Sequence, residues 1–113
     1  KRSKILIMGL TFKENCADIR NSGVKLVIET LKKKNCKLDL YDPWADREEI
    51  KQTYGFYPKK KLNHNSYDGV LLAVAHNKFK NIGAKEITKL CKKNYIIYDL
   101  KYLFSKDQVD LRL

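Results

Sequence analysis

Lys4-Ile5-Leu6-Ile7-Met8, whose last four residues are a continuous apolar run closed by Gly9, decides the fold. An uninterrupted run of this length suits a strand covered on both faces, which belongs in a parallel sheet. The stretch that follows is Gly9-Leu10-Thr11-Phe12-Lys13-Glu14-Asn15-Cys16-Ala17-Asp18-Ile19-Arg20-Asn21-Ser22. It reads as a long loop ending in capping chemistry, with Asn21 or Ser22 as the cap. Val24, Val27, Ile28 and Leu31 then recur at helical spacing, which predicts a helix over residues 22–34.

Outward from this strand-loop-helix unit the alternation continues. Cys36-Lys37-Leu38-Asp39-Leu40-Tyr41 alternates apolar and polar residues and reads as a second strand, stopped by Asp42-Pro43. Asp46 with Glu49 three residues on is a capping box for a short helix. The polar stretch around 54–66 is expected to carry at most a short edge strand near Phe56 and Tyr57. Residues 69–75 predict a buried strand, 78–81 a helical turn, 84–93 a helix and 95–99 the last strand, with 100–113 as a tail. In that helix Ala84, Ile87, Leu90 and Cys91 face inward. The expected fold is α/β: a three-layer, Rossmann-like domain with a mainly parallel sheet of about five strands.

The composition bounds the function. A chain of 113 residues is one domain, with a hydrophobic fraction of 43% that suits a globular core. Cys16, Cys36 and Cys91 are odd in number and far apart, which argues for a reducing compartment and against a disulfide framework. Each is expected to be a small buried or half-buried thiol. No metal site is expected, because His64, His76 and the cysteines have no ligand spacing. No apolar run approaches the ~20 residues of a membrane span, and no signal peptide is visible. A start at Lys1-Arg2 suggests a fragment of a longer protein. The net charge of +11 invites a nucleic-acid reading, but the lysines are scattered and no nucleic-acid module accompanies them. Lys32-Lys33-Lys34 and Lys92-Lys93 read as helix C-termini, where cations suit the dipole, and Lys59-Lys60-Lys61 as a loop.

In open α/β sheets ligands bind beyond the carboxyl ends of the strands. Lys13 and Arg20 follow the first strand, Asp42 the second, His76 the third long one, and Asp99 and Lys101 the last. Asp42 before Pro43 reads first as a turn residue, and His76 as a hydrogen-bonded structural one. Arg20 could hold phosphate oxygens bidentately, with Asp18 ordering the loop. One glycine in the loop fits neither the dinucleotide fingerprint nor the P-loop. The residues alone therefore specify an anion-binding α/β domain.

Gly9-Leu10-Thr11-Phe12-Lys13 followed by Asp18-Ile19-Arg20-Asn21-Ser22 resembles the opening of the C-terminal domain of the UDP-glucose/GDP-mannose dehydrogenase family. Tyr41-Asp42-Pro43, Leu71-Leu72-Ala73-Val74-Ala75-His76 with Phe79, and Asp99-Leu100-Lys101 match the same family in order. The form of the motifs is most similar to the bacterial branch acting on UDP-N-acetylhexosamines. The resemblance implies one C-terminal, UDP-binding domain spanning 1–113 of a larger cytoplasmic enzyme that oxidises the C6 alcohol of a UDP-sugar to the uronate with NAD, for surface polysaccharide synthesis. It implies that Phe12, Lys13 and Lys101 contact the UDP-sugar and that Arg20 reaches the NAD pyrophosphate. Lys101 stands where a basic residue, often arginine, occurs; lysine keeps the charge and loses the fork. The catalytic cysteine of the family lies upstream, so Cys16 is not the nucleophile and no catalytic residue is expected in this segment. NAD would be held mainly by an N-terminal domain. Partners would be the N-terminal and central domains of the same chain and a homo-oligomer, with neither nucleic acid nor membrane. The competing expectations are a stand-alone anion-binding or signalling module and a basic nucleic-acid-binding domain.

Overall fold

The computed structural model describes residues 3–10, 24–73, 77–99 and 111–112. Its elements run β1 (Lys4–Met8), α1 (Val24–Lys33), β2 (Lys37–Tyr41), α2 (Arg47–Tyr54), β3 (Tyr67–Leu72), α3 (Asn77–Ile82), α4 (Ala84–Lys89), β4 (Cys91–Asp99) and β5 (Leu111–Arg112). The strands form one sheet in the order β2-β1-β3-β4-β5. The pairings are parallel: Ile7 of β1 lies opposite Leu40 of β2 and Leu71 of β3, and Tyr98 of β4 opposite Leu111 of β5.

Alternation along β1 explains the layers. Leu6 and Met8 point into a cluster with Val70, Leu72 and Ile97 of the sheet and with Phe79, Ala84 and Ile87 of α3 and α4. Ile7 points the other way, to Leu38 and Leu40, to Val24 and Ile28 of α1, and to Ile50 and Tyr54 of α2. Leu6, Ile7 and Met8 are fully buried. The expectation of a strand covered on both faces is met. The step from β1 to β2 runs one way across the sheet with α1 on one face. The step from β3 to β4 runs the other way with α3 and α4 on the opposite face. Opposite steps on opposite faces are what a single crossover hand requires.

Several boundaries differ from the expectations, each for a tertiary reason. The helix expected over 84–93 stops at Lys89, and Cys91 is already in β4 opposite Tyr67. Its thiol is buried, as expected, so burial alone did not distinguish a helix end from a strand start. Lys92 and Lys93 therefore close no helix; Lys92 pairs instead with Asp68 at 3.6 Å. β4 starts four residues before the expected Tyr95 because its ladder shifts register between the Tyr67 and Gly69 pairings, accommodating a polar stretch with no apolar alternation. β3 begins at Tyr67, not residue 69, and ends at Leu72. Phe56 and Tyr57 form no strand; a single backbone bond, Lys59 N–H to the Leu40 carbonyl at 2.7 Å, touches the sheet nearby. The tail contributes β5, a two-residue strand that pairs with Tyr98 and Asp99 of β4. The caps expected at Asn21 or Ser22 lie outside the described residues.

Local signals in the middle of the chain are met. Asp46 caps α2, its Oδ1 accepting the Glu49 N–H at 3.0 Å. Gly55 ends that helix at φ 94°, and its N–H bonds the Lys51 carbonyl at 2.9 Å, a left-handed C-cap that glycine adopts without a Cβ penalty. Lys32, at the end of α1, donates to the Tyr54 carbonyl at 2.6 Å. It thus satisfies a carbonyl at the C-terminus of α2 from the end of another helix.

A polar network marks the amino half of the sheet. The Tyr67 hydroxyl donates to Asp39 Oδ2 at 2.6 Å, and Lys4 Nζ stands 3.8 Å from the same oxygen. Burial pushes the Tyr67 phenol well above its ordinary value, and the hydrogen bond to the Asp39 carboxylate adds to the rise. The folded chain thus keeps this proton more tightly than the unfolded one. The resulting stability is fully present below the unfolded tyrosine pKa of about 10 and is lost as pH rises beyond it. Tyr67→Phe is expected to cost about 1 kcal/mol at neutral pH. It should also flatten the fall in stability above about pH 10. Urea unfolding across an alkaline series measures both, and an unchanged alkaline slope would refute the linkage.

Candidate functional site at the carboxyl edge

Because the ladders are parallel, the ends of β1, β2, β3 and β4 are delivered to one edge. Gly9 turns the chain out of β1 at φ 100°, where a side chain would be strained, and its N–H bonds the Tyr41 carbonyl at 3.0 Å. The next residue, Leu10, is fully buried, and its N–H donates to Asp42 Oδ2 at 2.7 Å. The other carboxylate oxygen accepts the N–H groups of Trp44 at 2.8 Å and Ala45 at 3.2 Å. Asp42 is only 6% exposed. It joins the exit of β1 to the exit of β2 and at the same time folds the turn after β2.

The turn role expected for Asp42 is met, and a second role appears that the turn pattern did not show. An acidic residue after the second strand of a dinucleotide-binding fold ordinarily serves a ribose hydroxyl. Here that carboxylate is engaged by three backbone donors, so it orders the edge from within.

Two clefts open on either side of Pro43. One, of about 620 Å³, is lined by Pro43, Trp44, Asn77, Asn81 and Ile82. It presents the half-exposed Trp44 ring and two carboxamide side chains, groups suited to a flat polar ligand. The other, of about 340 Å³, includes Tyr41, Asp42, Arg47, Pro58, Lys59 and Lys60 in its walls. Of these residues Tyr41, Asp42 and Pro43 were singled out from sequence; Trp44, Arg47, Pro58, Lys59 and Lys60 were not read as site residues. Arg47 read only as part of a helix and Lys59-Lys60-Lys61 as a loop. The available signal was their common relation to the end of the second strand.

Phe12, Lys13, Arg20 and Lys101, the residues assigned to ligands by resemblance, lie outside the described residues, as do Cys16, Asp18 and His76. Their flanks are described. The segment holding Phe12, Lys13 and Arg20 leaves from Leu10, fixed by Asp42, and rejoins at Val24 in α1. The segment holding Lys101 leaves from Asp99 at the end of β4. Among the described residues no group of three His, Cys, Asp or Glu side chains could hold a metal ion. Cys36 is half-buried and Cys91 buried, the burial expected for these two. No helix among the described residues is long and apolar enough to cross a membrane.

Comparison with known proteins gives the site its setting. Residues 6–106 match the UDP-binding domain of the UDP-glucose/GDP-mannose dehydrogenase family. The chain is 48% identical over 111 residues to a UDP-N-acetyl-D-glucosamine 6-dehydrogenase of Pseudomonas aeruginosa, covering 98% of this chain and 26% of that protein. It is 43% identical to the Salmonella typhi protein of the same name, with the same coverage. Among solved structures, a UDP-D-ManNAc dehydrogenase from Pyrococcus horikoshii superposes with a TM-score of 0.76 at 21% identity, over 98% of this chain and 25% of that one. That likeness bears on the fold, and it agrees with the α/β architecture. The chain spans about a quarter of the length of these relatives. With a family match across nearly its whole length and the parallel sheet that the motifs implied, the chain belongs to the UDP-glucose/GDP-mannose dehydrogenase family, as its UDP-binding domain.

Proposed function

We propose that this chain is the nucleotide-sugar-binding domain of an NAD-dependent UDP-sugar 6-dehydrogenase that oxidises the C6 alcohol of a UDP-N-acetylhexosamine or UDP-glucose to the uronate. The observation that carries this reading is the 48% identity across 111 residues to a UDP-N-acetyl-D-glucosamine 6-dehydrogenase. The sheet edge built around Asp42 supports it, because both ends of the 11–23 segment are anchored there and in α1. In this reading Phe12, Lys13 and Lys101 hold the UDP-sugar. Arg20 reaches the NAD pyrophosphate, with the cofactor bound mainly by another domain of the enzyme. The domain contributes binding energy and closure, and no nucleophile. Nucleotide contacts far from C6 position that carbon for chemistry elsewhere and help exclude water. A cytoplasmic enzyme acting in surface polysaccharide synthesis, assembled as a homo-oligomer, completes the reading.

Calorimetric titration with UDP, UDP-N-acetylglucosamine, UDP-glucose, GDP-mannose and NAD tests it. Uridine nucleotides are expected to bind in preference to the others. Lys13→Ala should weaken UDP-N-acetylglucosamine about tenfold, the loss of one charge-assisted contact to phosphate. Binding that ignores the base, or that Lys13→Ala leaves unchanged, would overturn the assignment.

A further inference from the structure

The smaller cleft beside Pro43 gathers positive charge in a way the family motifs do not describe. Arg47 comes from the first turn of α2, and Lys59 and Lys60 from the loop before β3. Two contacts fix this arrangement. Arg47 Nη1 donates to the carbonyl of the buried Pro58 at 2.9 Å, and the Lys59 N–H bonds the Leu40 carbonyl at 2.7 Å. Arg47 is also steadied over the Tyr57 ring, 5.4 Å from its centroid. The guanidinium is thereby half-buried in the wall of the cleft and, among the described residues, has donors left over after this carbonyl contact.

The nearby carboxylates, that of Asp42 in the cleft wall included, have hydrogen-bond partners of their own. Asp42 accepts three backbone N–H groups, Asp46 caps α2, and Glu48 accepts the Tyr57 hydroxyl at 3.1 Å. Among the described residues, none of Arg47, Lys59 and Lys60 makes an ion pair. Three cations around one cavity repel each other, and an anion that enters relieves that repulsion while gaining charge-assisted hydrogen bonds. A volume of about 340 Å³ lies at the small end of ligand clefts, fitting a compact anion or the phosphate end of a larger molecule.

We propose that Arg47, Lys59 and Lys60, at the carboxyl end of β2, form a binding site for a phosphate group. Arg47, Lys59 and Lys60 are not among the residues assigned to the UDP-sugar or to NAD. It therefore stands or falls separately from those assignments. The phosphate is either free or the ester of a nucleotide whose base reaches across Pro43 to the Trp44 cleft. The two sources share the same anchoring chemistry at Arg47 and the lysines.

The test is a titration of the 113-residue chain with inorganic phosphate, followed by amide chemical shifts, against sodium chloride at matched ionic strength. Saturable shifts are expected at amides of residues 42, 44–47 and 59–61, absent in the chloride series. Lys59→Gln with Lys60→Gln should weaken the apparent affinity about tenfold, since both side chains are exposed and their loss leaves the fold intact. Arg47→Lys, which keeps the charge and removes the fork, should weaken it by a smaller factor. Lys33→Gln, at an exposed cation in the last turn of α1, should leave phosphate binding unchanged, which separates this site from a general effect of positive charge. A parallel series with UMP distinguishes the sources: tighter binding with added shifts at Trp44 and Asn81 marks a nucleotide, and equal affinity marks the free anion. Shifts that grow linearly, that chloride reproduces, or that survive the double lysine variant would overturn the proposal.

Discussion

Asp42→Ala is expected to lower the unfolding free energy by about 3–4 kcal/mol, measured by urea unfolding at neutral pH. The carboxylate accepts from Leu10, Trp44 and Ala45, and hydrogen bonds to a charged acceptor contribute about 1.5–3 kcal/mol each. They do not simply add. Trp44 is half-exposed, and the turn it begins can rehydrate once the acceptor is gone. Leu10 is fully buried, so its N–H would be left without a partner in the core, and this term dominates. Asp42→Asn keeps one carbonyl acceptor and should cost about half as much, because its amide hydrogens must then meet a donor on one side. The functional consequence is larger than the stability loss suggests. Since Asp42 anchors the start of the 11–23 segment, UDP-N-acetylglucosamine binding should fall even where the variant remains folded. A variant with native nucleotide affinity would show that the segment is fixed by other contacts.

Phe79→Ala is expected to cost about 3–5 kcal/mol, the usual range for truncating a buried aromatic ring. Phe79 has no exposed surface and packs against Tyr41 with ring centroids 6.0 Å apart. Its helix, α3, has six residues, too short to hold together without tertiary support. The ring therefore does two things at once: it fills the core beside Met8 and Leu72, and it fastens α3 to the sheet. Losing it should also loosen the wall of the larger cleft that Asn77, Asn81 and Ile82 provide. Phe79→Leu should recover most of the loss, since a volume-conserving apolar exchange typically costs under ~1.5 kcal/mol. Lys80→Ala on the exposed side of the same helix serves as the control, with a change within about 0.5 kcal/mol. Equal losses in the Phe79→Ala and Lys80→Ala chains would mean that α3 is held by its backbone alone.

What the sequence by itself determined were the features carried by neighbours in the chain. The run Ile5 to Met8 specified a doubly covered strand because every residue in it is apolar, whichever face it meets. The spacing of Val24 and Ile28 specified a buried helical stripe, and Asp46 with Glu49 specified a helix start. Motif order was enough to indicate the family, because the strand ends that carry it recur in a fixed sequence. The tertiary structure decided the rest. Leu90 and Cys91 fit the helical stripe of Ile87 and are indeed buried, yet the backbone leaves the helix there because Cys91 finds a ladder partner in Tyr67. Leu111 and Arg112 carry no strand signal of their own and become β5 through pairing with β4. Asp42 looks like an ordinary turn residue until Leu10, thirty-two positions earlier, is brought to its carboxylate. Arg47 and the 59–60 lysines look like solvated charge until the loop after α2 folds back along the end of β2. Each of these depends on contacts between residues distant in sequence, and hydrophobic periodicity carries no record of which distant residue a side chain or a backbone N–H will meet.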